Sequence, residues 1–317
     1  MDMQSPHLID THHHFVPPFY LEAVGAAAVA RTLVSGKAPE WTPRHSIDAM
    51  DRNGIETAVV SISAPGFQCD EGERADLCCR CNDYAAKMRA DFPGRFGSFA
   101  GLPLPDVDAS LKEIDRSLGT LKADGICLLT SYGGRYLGDA QFAPVFEELN
   151  RRKAVVYVHP TEGCACDIGL PPASLEFPFD TTRTIASLMF SGTFNRCRDI
   201  TFIFSHAGGA MPFLAERLAR LERRPDFKAH VPEGVIATLQ RLHYDTALSA
   251  GPLAMNALMS LVPARQVVFG SDYPYAPEDT MTGTVRGLAA LKLPDADLAA
   301  IERGNALRIM PWLEKER

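Results

Sequence analysis

The sequence predicts a (β/α)8 barrel. Eight short runs rich in apolar and β-branched residues alternate with longer segments that have the apolar spacing of amphipathic helices. Strands that alternate with helices form βαβ units around a parallel sheet, and eight such units are enough to close the sheet into a barrel. A doubly wound open sheet is the alternative, and it is disfavoured because no Gly-x-Gly-x-x-Gly motif follows the first strand.

The predicted elements follow one another along the whole chain. The strands are residues 8–12, 57–62, 96–102, 125–129, 155–159, 200–205, 242–245 and 266–270. The helical segments are residues 46–53, 73–91, 109–121, 142–152, 182–194, 211–223, 252–261 and 279–291. The last stretch, residues 295–317, is predicted to be helical before a polar end. Because no linker or repeat interrupts this order, residues 1–317 are predicted to form one domain.

Composition excludes several classes of protein. The 317 residues are 46% hydrophobic and 22% charged, which is ordinary for a globular protein with a large core. The net charge of −7 and the lack of a basic patch argue against a nucleic-acid partner. The sequence contains no run of about 18 apolar residues, so no membrane span is expected. Residues 1–6 do not resemble a signal peptide. We therefore expect a soluble cytoplasmic protein.

Two insertions are expected to build the walls of a pocket. Residues 15–42 follow the first predicted strand and residues 161–179 follow the fifth. Both come after the carboxyl end of a strand, and in a barrel that is the face where active sites are formed. The second insertion contains Cys164 and Cys166. Because the eight cysteines form no paired Cys-x-x-Cys knuckles, we expect them to be free thiols.

Potential metal ligands lie at the carboxyl ends of four predicted strands. Side chains alternate along a strand, so His12 and His14 share one face while His13 points away. His159, His206 and Asp272 end the fifth, sixth and eighth strands. A single histidine at a strand end is usually structural, but nitrogen and oxygen donors that converge from four strands suit Zn²⁺ or a similar first-row ion.

Two further roles are left open by the pattern. His206 is expected in the pocket, either as a ligand or as an acid/base beside the metal. Asp10 precedes the histidine pair and shares its face by the same alternation. It is expected either to reach the metal as an additional ligand or to orient His12 or another ligand.

Four motifs together resemble a known family. They are IDTHHH at residues 9–14, YVHP at 157–160, SHAGG at 205–209 and GSDYP at 270–274. In this order they are similar to the amidohydrolase superfamily, and in particular to its branch of aminocarboxymuconate-semialdehyde, γ-resorcylate and 5-carboxyvanillate decarboxylases. Within the branch, TAVVSISAPG (57–66), LPLPD (102–106), TSYGGRYL (130–137) and LEFPFDTTR (175–183) resemble the 6-methylsalicylate decarboxylase-like proteins.

The resemblance implies a barrel of the metal-dependent hydrolase type with one divalent ion held by His12, His14, His159 and Asp272. Zn²⁺ is the expected ion, with Mn²⁺ and Mg²⁺ as alternatives. Binuclear members carry a lysine at the end of the fourth strand, whereas residues 125–130 here read GICLLT. One metal is therefore expected. The resemblance also implies a homodimer.

The resemblance further implies nonoxidative decarboxylation of an ortho-hydroxybenzoate such as 6-methylsalicylate. Protonation of the ring carbon precedes loss of CO₂, with Asp272 as the proton donor assisted by His206. Only Arg44 lies near the position of the family's carboxylate-binding arginines, so a muconate-type dicarboxylate is disfavoured. Expected contacts to an aromatic carboxylate are Arg183, Arg135, Phe177, Phe179, Phe190, Tyr132 and Tyr273.

Two other functions use the same ligands. The first is a mononuclear metal-dependent hydrolase, such as a lactonase or amidohydrolase, that activates a metal-bound water. The second is a metal-binding protein without turnover, which the complete ligand set disfavours. The fold alone does not decide between them, because the same barrel supports many reactions.

Overall fold

The computed structural model of the chain describes residues 7–162 and 169–314. The strands in this part are β1 (Leu8–His14), β2 (Ile55–Ser61), β3 (Phe96–Gly101), β4 (Gly125–Leu129), β5 (Ser131–Tyr132), β6 (Arg135–Tyr136), β7 (Val155–His159), β8 (Thr201–Phe204), β9 (His243–Asp245) and β10 (Val267–Val268). Eight of them form one sheet in the order β1-β2-β3-β4-β7-β8-β9-β10, and every pairing in it is parallel. The other two, β5 and β6, form a small antiparallel hairpin after β4.

The sheet closes on itself between its first and last strands. The amide of Thr11 donates to the carbonyl of Phe269 at 2.9 Å, and the amide of Asp272 donates to the carbonyl of His12 at 2.8 Å. A parallel bridge also joins His13 to Tyr273. The predicted (β/α)8 barrel is therefore confirmed, and its closure brings the residues after β10 against the end of β1.

Helices surround the barrel. They are α1 (Pro18–Val24), α2 (Ala26–Thr32), α3 (Pro43–Arg52), α4 (Glu71–Asp91), α5 (Val107–Asp115), α6 (Ala143–Arg151), α7 (Glu176–Phe190), α8 (Thr193–Arg196), α9 (Met211–Ala219), α10 (Pro225–Lys228), α11 (Val235–Leu239), α12 (Pro252–Leu261), α13 (Glu278–Ala290), α14 (Asp295–Ala299) and α15 (Asn305–Ile309). Arg116–Thr120 and Ala300–Gly304 are π-helical. The 3-10 turns are Ala140–Phe142, Pro172–Ser174, His206–Gly208, Arg220–Arg223, Ala264–Gln266 and Pro311–Glu314.

One helix begins earlier in the structure than the sequence predicts. The segment 182–194 was expected to be helical, whereas α7 starts at Glu176. Pro178, which suggested a loop, lies in the first turn of α7, where the missing amide of a proline removes no intrahelical hydrogen bond. Part of the predicted second insertion is therefore the start of a helix.

Apolar side chains fill the inside of the barrel and close its lower end. Ile9, Val59, Phe99, Tyr157 and Ile203 form one buried cluster, which continues to Met310 and Leu313 of the C-terminal segment. The rings of Phe99 and Tyr157 stack at 5.3 Å between centroids. Full burial of such a side chain stabilises the fold by about 1.5–3 kcal/mol. Access to the barrel interior is therefore left to the opposite end, where the strands finish.

Two further sequence expectations concern membrane spans and cysteines. Among residues 7–162 and 169–314, no helix has the length and apolar character needed to cross a bilayer. The cysteines in that part of the chain are free thiols, and they are Cys69, Cys78, Cys79, Cys81, Cys127 and Cys197. Cys164 and Cys166 lie outside the described residues.

Candidate metal centre

Five buried polar side chains converge where the barrel strands end. His12 and His14 come from β1, His159 ends β7, and His206 and Asp272 follow β8 and β10. One donor atom from each of His12, His159, His206 and Asp272 lies within 4.8 Å of the others. His14 Nε2 completes the cluster, at 3.1 Å from His12 Nε2 and 3.0 Å from Asp272 Oδ1. The structure therefore brings all five predicted residues together.

Three of the four histidines are held through Nδ1 by an oxygen acceptor. The bonds run from His12 to Asp245 Oδ2 at 2.8 Å, from His14 to the carbonyl of Ser61 at 3.1 Å, and from His159 to the carbonyl of Pro160 at 2.8 Å. Because carbonyl and carboxylate oxygens only accept, we assign the ring proton to Nδ1 in each case. The lone pair of each Nε2 then faces the cluster, as it does in metal-ligating histidines.

His206 is held differently. Both of its ring nitrogens are buried and lack a hydrogen-bond partner among the described residues. Its Nε2 lies 3.7 Å from Asp272 Oδ2, beyond hydrogen-bond length. The residue sits at a strained turn, where His206 and Ala207 both have positive φ, at 53° and 56°. The ring is therefore placed by its backbone, and its nitrogens stay available.

The cluster fits a divalent cation. His12 Nε2 and His14 Nε2 lie 3.1 Å apart with lone pairs directed at each other, and Asp272 Oδ1 is within 3.1 Å of both. Such atoms repel unless a cation or proton lies between them. Imidazole nitrogens with one carboxylate are donors that first-row divalent ions prefer. The cluster is therefore a divalent metal site.

The electrostatics of the site agree with this assignment. Burial lowers the pKa of His14 and lowers that of His159 well below its usual value, so both rings are neutral and can act as ligands. Burial opposes the charged form of His12 too, but Asp245 and Asp272 raise its pKa to about 10. Despite burial, the positive charge of protonated His12 and the contacts of Asp272 with His12 and His14 hold the pKa of Asp272 well below its usual range, so without a metal ion a proton takes the place of the cation between these atoms. The carboxylates of Asp245 and Asp272 therefore favour positive charge at His12.

Asp10 does not face this cluster. Its Oδ2 accepts from His13 Nδ1 at 3.0 Å and from Ser271 Oγ at 2.5 Å, and its Oδ1 accepts from the amides of His12 and Ser271. The expectation that Asp10 shares a face with His12 and His14 assumed that side chains alternate strictly along β1. An irregularity between Asp10 and His13 breaks that alternation. Asp10 thus holds the backbone at the barrel closure, and of its two expected roles the orienting one agrees with its position.

His13 points away from the metal cluster, as expected. Its Nε2 lies 2.9 Å from Ser46 Oγ, which also accepts from Trp41 Nε1 at 2.8 Å. Hydrogen-bond contacts join Asp10 to His13 and His13 to Ser46, in the same order as in the Asp-His-Ser triad of hydrolases. All three are fully buried, so no substrate reaches the serine hydroxyl.

A cavity of about 320 Å³ opens onto the metal cluster at His159 and Asp272. Most of its wall is apolar, and the side chains that form it include Leu33, Val34, Ala173, Phe177, Leu248 and Pro277. Leu33 and Val34 belong to the first predicted insertion and Ala173 and Phe177 to the second. The volume suits a small aromatic molecule. No arginine or lysine among residues 7–162 and 169–314 lines this cavity.

The predicted substrate contacts are placed in different surroundings. Phe177 lines the cavity, with its ring centroid 6.1 Å from that of His159. Arg183 is exposed and lies 3.9 Å from Glu176, and Tyr273 packs on His13 at 5.2 Å between centroids. Neither of these two lines the cavity. Tyr132 lines a separate cavity, Arg135 pairs with Asp139, and Phe179 and Phe190 are partly exposed.

Three residues of the site were missed from the sequence. Ser63 Oγ lies 3.4 Å from His159 Nε2, and the ring of Tyr275 packs on that of His14 at 5.1 Å between centroids. Both residues line the cavity. Asp245 ends the seventh strand and accepts from His12. It satisfies the same strand-end criterion that identified His159, so the signal was present. No comparable signal marks Ser63 or Tyr275, because they lie on loops that follow strands.

Comparisons with known proteins agree with the motifs. A family model described as amidohydrolase matches residues 9–312. The chain is 38% identical to decarboxylase yanB of Aspergillus niger over 96% of this chain and 87% of that protein. It is 35% identical to 6-methylsalicylic acid decarboxylase of Penicillium expansum over 96% of this chain and 97% of that protein. A solved structure of an amidohydrolase II has a TM-score of 0.89 at 28% identity, over 96% and 99% of the two chains. The resemblance indicated by the motifs is confirmed.

Proposed function

Because the chain belongs to the amidohydrolase family, we propose that it is a metal-dependent decarboxylase, a carboxy-lyase, acting on an aromatic acid of the 6-methylsalicylate type. Both curated relatives described above are named decarboxylases, and one is named for 6-methylsalicylic acid. One structural observation supports this function most directly. Three histidines are anchored at Nδ1 like metal ligands, while His206 beside them keeps both ring nitrogens available among the described residues.

One divalent ion is held by His12, His14, His159 and Asp272 Oδ1 in this proposal. Three nitrogens and one oxygen suit Zn²⁺, and Mn²⁺ or Mg²⁺ are the alternatives. When bound, the ion supplies Lewis-acid polarisation of the substrate carboxylate and of the hydroxyl ortho to it. His206 is left outside the ligand set because nothing among the described residues anchors its second ring nitrogen.

The cavity supports a substrate with a single carboxylate. Its wall is apolar and, among the described residues, carries no arginine or lysine, so a second anionic group has no partner there. The carboxylate therefore lies at the cluster and the ring lies against Phe177 and its neighbours. A methyl substituent on the ring adds apolar contact in such a wall, at about 0.8 kcal/mol per buried carbon.

His206 and Asp272 carry the proton in the proposed reaction. Asp272 Oδ1 faces the ligands, while Oδ2 faces His206 Nε2 at 3.7 Å, so the pair joins the ligand set to the available imidazole. The proton is delivered to the ring carbon that bears the carboxylate. The electrons of the breaking carbon–carbon bond return to the ring, CO₂ leaves, and water restores the proton. The net change is one proton consumed and one CO₂ released.

The hydrolase alternative uses the same residues to activate water. It is not favoured, because the curated relatives described above are decarboxylases. We also propose that residues 1–317 form one catalytic domain of a cytoplasmic protein, as expected from its sequence pattern and composition, and that the protein is a homodimer, as the family resemblance implied. Exposed apolar side chains such as Leu253 offer surface for an interface between copies.

The test is turnover of 6-methylsalicylate by protein of known metal content. We expect about one divalent ion per chain, formation of 3-methylphenol and CO₂, and incorporation of one deuterium at the vacated ring position in D₂O. Hydrolysis of lactones without attack on ortho-hydroxybenzoates would favour the hydrolase instead. Substitution of the exposed His45 by alanine is the control, because it removes an imidazole that belongs neither to the metal cluster nor to the wall of the cavity.

A further inference from the structure

Asp245 contacts both halves of the site through one carboxylate. Its Oδ2 accepts from His12 Nδ1 at 2.8 Å and from the hydroxyl of Tyr157 at 3.1 Å. Its Oδ1 accepts from the amides of His206 at 2.8 Å and Ala247 at 3.0 Å. The side chain is completely buried at the end of β9. Four donors therefore surround a carboxylate that is shielded from water.

The two oxygens act on different residues of the site. The bond to Oδ2 keeps the ring proton of His12 on Nδ1 and so leaves its Nε2 lone pair directed at the cluster. The bond to Oδ1 holds the amide of His206, whose φ of 53° is costly for a residue with a side chain. One carboxylate thus fixes the tautomer of His12, a proposed metal ligand, and the backbone conformation of His206, the proposed proton carrier.

Little room exists for Asp245 to move. Gly270 packs directly against it, and a Cβ added at Gly270 would lie 3.1 Å from the Cβ of Asp245 and 2.7 Å from that of His12. The absence of a side chain at position 270 is what allows His12 and Asp245 to approach. The geometry around the carboxylate is therefore preorganised by its neighbours.

We propose that Asp245 is the positioning residue that couples the metal-binding histidine His12 to His206. Its effect on His206 rests on the proposed function, whereas its effect on metal binding through His12 does not. The carboxylate touches neither substrate nor reacting atoms and acts through the two histidines. Neutralising it affects metal affinity through one oxygen and proton transfer through the other.

Asparagine is the informative replacement, because it keeps the shape and removes one acceptor. If the amide nitrogen replaces Oδ1, it faces the fixed donors of two backbone amides. If it replaces Oδ2, it faces His12 and Tyr157, and both can respond: the hydroxyl can accept, and His12 can shift its proton to Nε2. The second orientation is therefore preferred, and it removes the lone pair that binds metal.

The test measures zinc affinity and the His12 ring proton by NMR in zinc-loaded protein labelled at histidine nitrogen. For Asp245→Asn we expect zinc affinity to fall about 10–100-fold and the Nδ1–H signal of His12 to disappear. With saturating zinc, kcat should fall while KM changes little. Asp124→Asn is the matched control, since it alters another buried carboxylate at the far end of the barrel.

Unchanged zinc affinity and an unchanged His12 signal in Asp245→Asn would overturn the proposal. If that variant does not fold, Tyr157→Phe decides, because it removes one donor to Oδ2 and leaves the charge. We then expect the His12 ring proton to shift downfield as its bond to Oδ2 strengthens; an unmoved signal also overturns the proposal. Lack of turnover in the unsubstituted protein would reject the proposed function without changing either zinc-dependent measurement.

Discussion

His12 Nε2 lies 3.1 Å from Asp272 Oδ1, although His12 is in the first strand of the barrel and Asp272 follows the last. The contact exists only because the sheet closes, through the amide of Asp272 donating to the carbonyl of His12 at 2.8 Å. Metal binding and barrel closure therefore depend on the same pair of residues. A cation at this position links the two ends of the sheet and should stabilise the whole fold.

Removal of metal should therefore lower stability as well as activity. Ligand at 100 times its dissociation constant stabilises a folded protein by about 2.7 kcal/mol. We expect chelated protein to melt at a lower temperature and to recover on addition of Zn²⁺ or Mn²⁺. Differential scanning calorimetry with and without the ion measures this. In His14→Ala the ion should no longer raise the melting temperature, and a full rise in that variant would contradict the proposed ligand set.

His206→Asn should separate catalysis from metal binding. Neither ring nitrogen of His206 is anchored by a hydrogen bond among the described residues, and we therefore placed His206 outside the ligand set. Its replacement should leave about one ion bound per chain. Loss of a proton-transfer group typically lowers kcat by about 10²–10⁴-fold. Elemental analysis and single-turnover kinetics measure the two quantities. His159→Asn is the comparison, since there we expect loss of the metal itself, and retained metal with unchanged kcat in His206→Asn would remove His206 from the mechanism.

The sequence predicted the barrel and its cluster for one physical reason. Parallel strands in a closed sheet end on the same face, so His12, His159 and Asp272 had to converge if the strands were identified correctly. Their identification required only the alternation of apolar runs and helical patterns. Side chains that lie at strand ends are therefore the part of a site that sequence alone can predict.

The errors have equally specific causes. The direction of Asp10 depended on unbroken alternation, and the irregularity in β1 reverses it without a mark in the sequence. Arg183 was expected as a contact to the substrate carboxylate because of its charge, and residue type does not determine which side of a helix faces the cavity. In α7 its side chain is exposed and lies 3.9 Å from Glu176. Loop residues such as Tyr275 depend on a path that local patterns do not determine.

Phe177→Ala should weaken substrate binding more than chemistry. Phe177 is 5% exposed and forms part of the apolar wall next to His159. Its truncation removes ring contact with the substrate, so KM for 6-methylsalicylate should rise about 5–100-fold, equivalent to about 1–3 kcal/mol. Steady-state kinetics on methylated and unmethylated salicylates measure the effect. Phe213→Ala, at an 85% exposed phenylalanine, is the control and should change neither constant.

His243 should make the fold less stable as the solution becomes acidic. It is buried at the start of β9, and burial together with Arg308 lowers its pKa to about 4. In the unfolded chain the pKa is about 6.5, so between pH 6.5 and 4 the unfolded state binds a proton that the folded state does not. The free energy of unfolding should therefore be insensitive to His243 above pH 6.5 and fall by up to about 3 kcal/mol as the pH drops to 4.

The matching experiment compares urea unfolding of metal-free wild-type protein and His243→Gln between pH 7 and pH 4.5. Metal is removed from both, because ligand protonation would otherwise contribute its own pH dependence. We expect the variant to show a slope of unfolding free energy against pH that is smaller by up to about 1.4 kcal/mol per pH unit in this window. Equal slopes would show that His243 is protonated in the folded protein, and that the lower end of the barrel admits water and charge despite the burial of this residue.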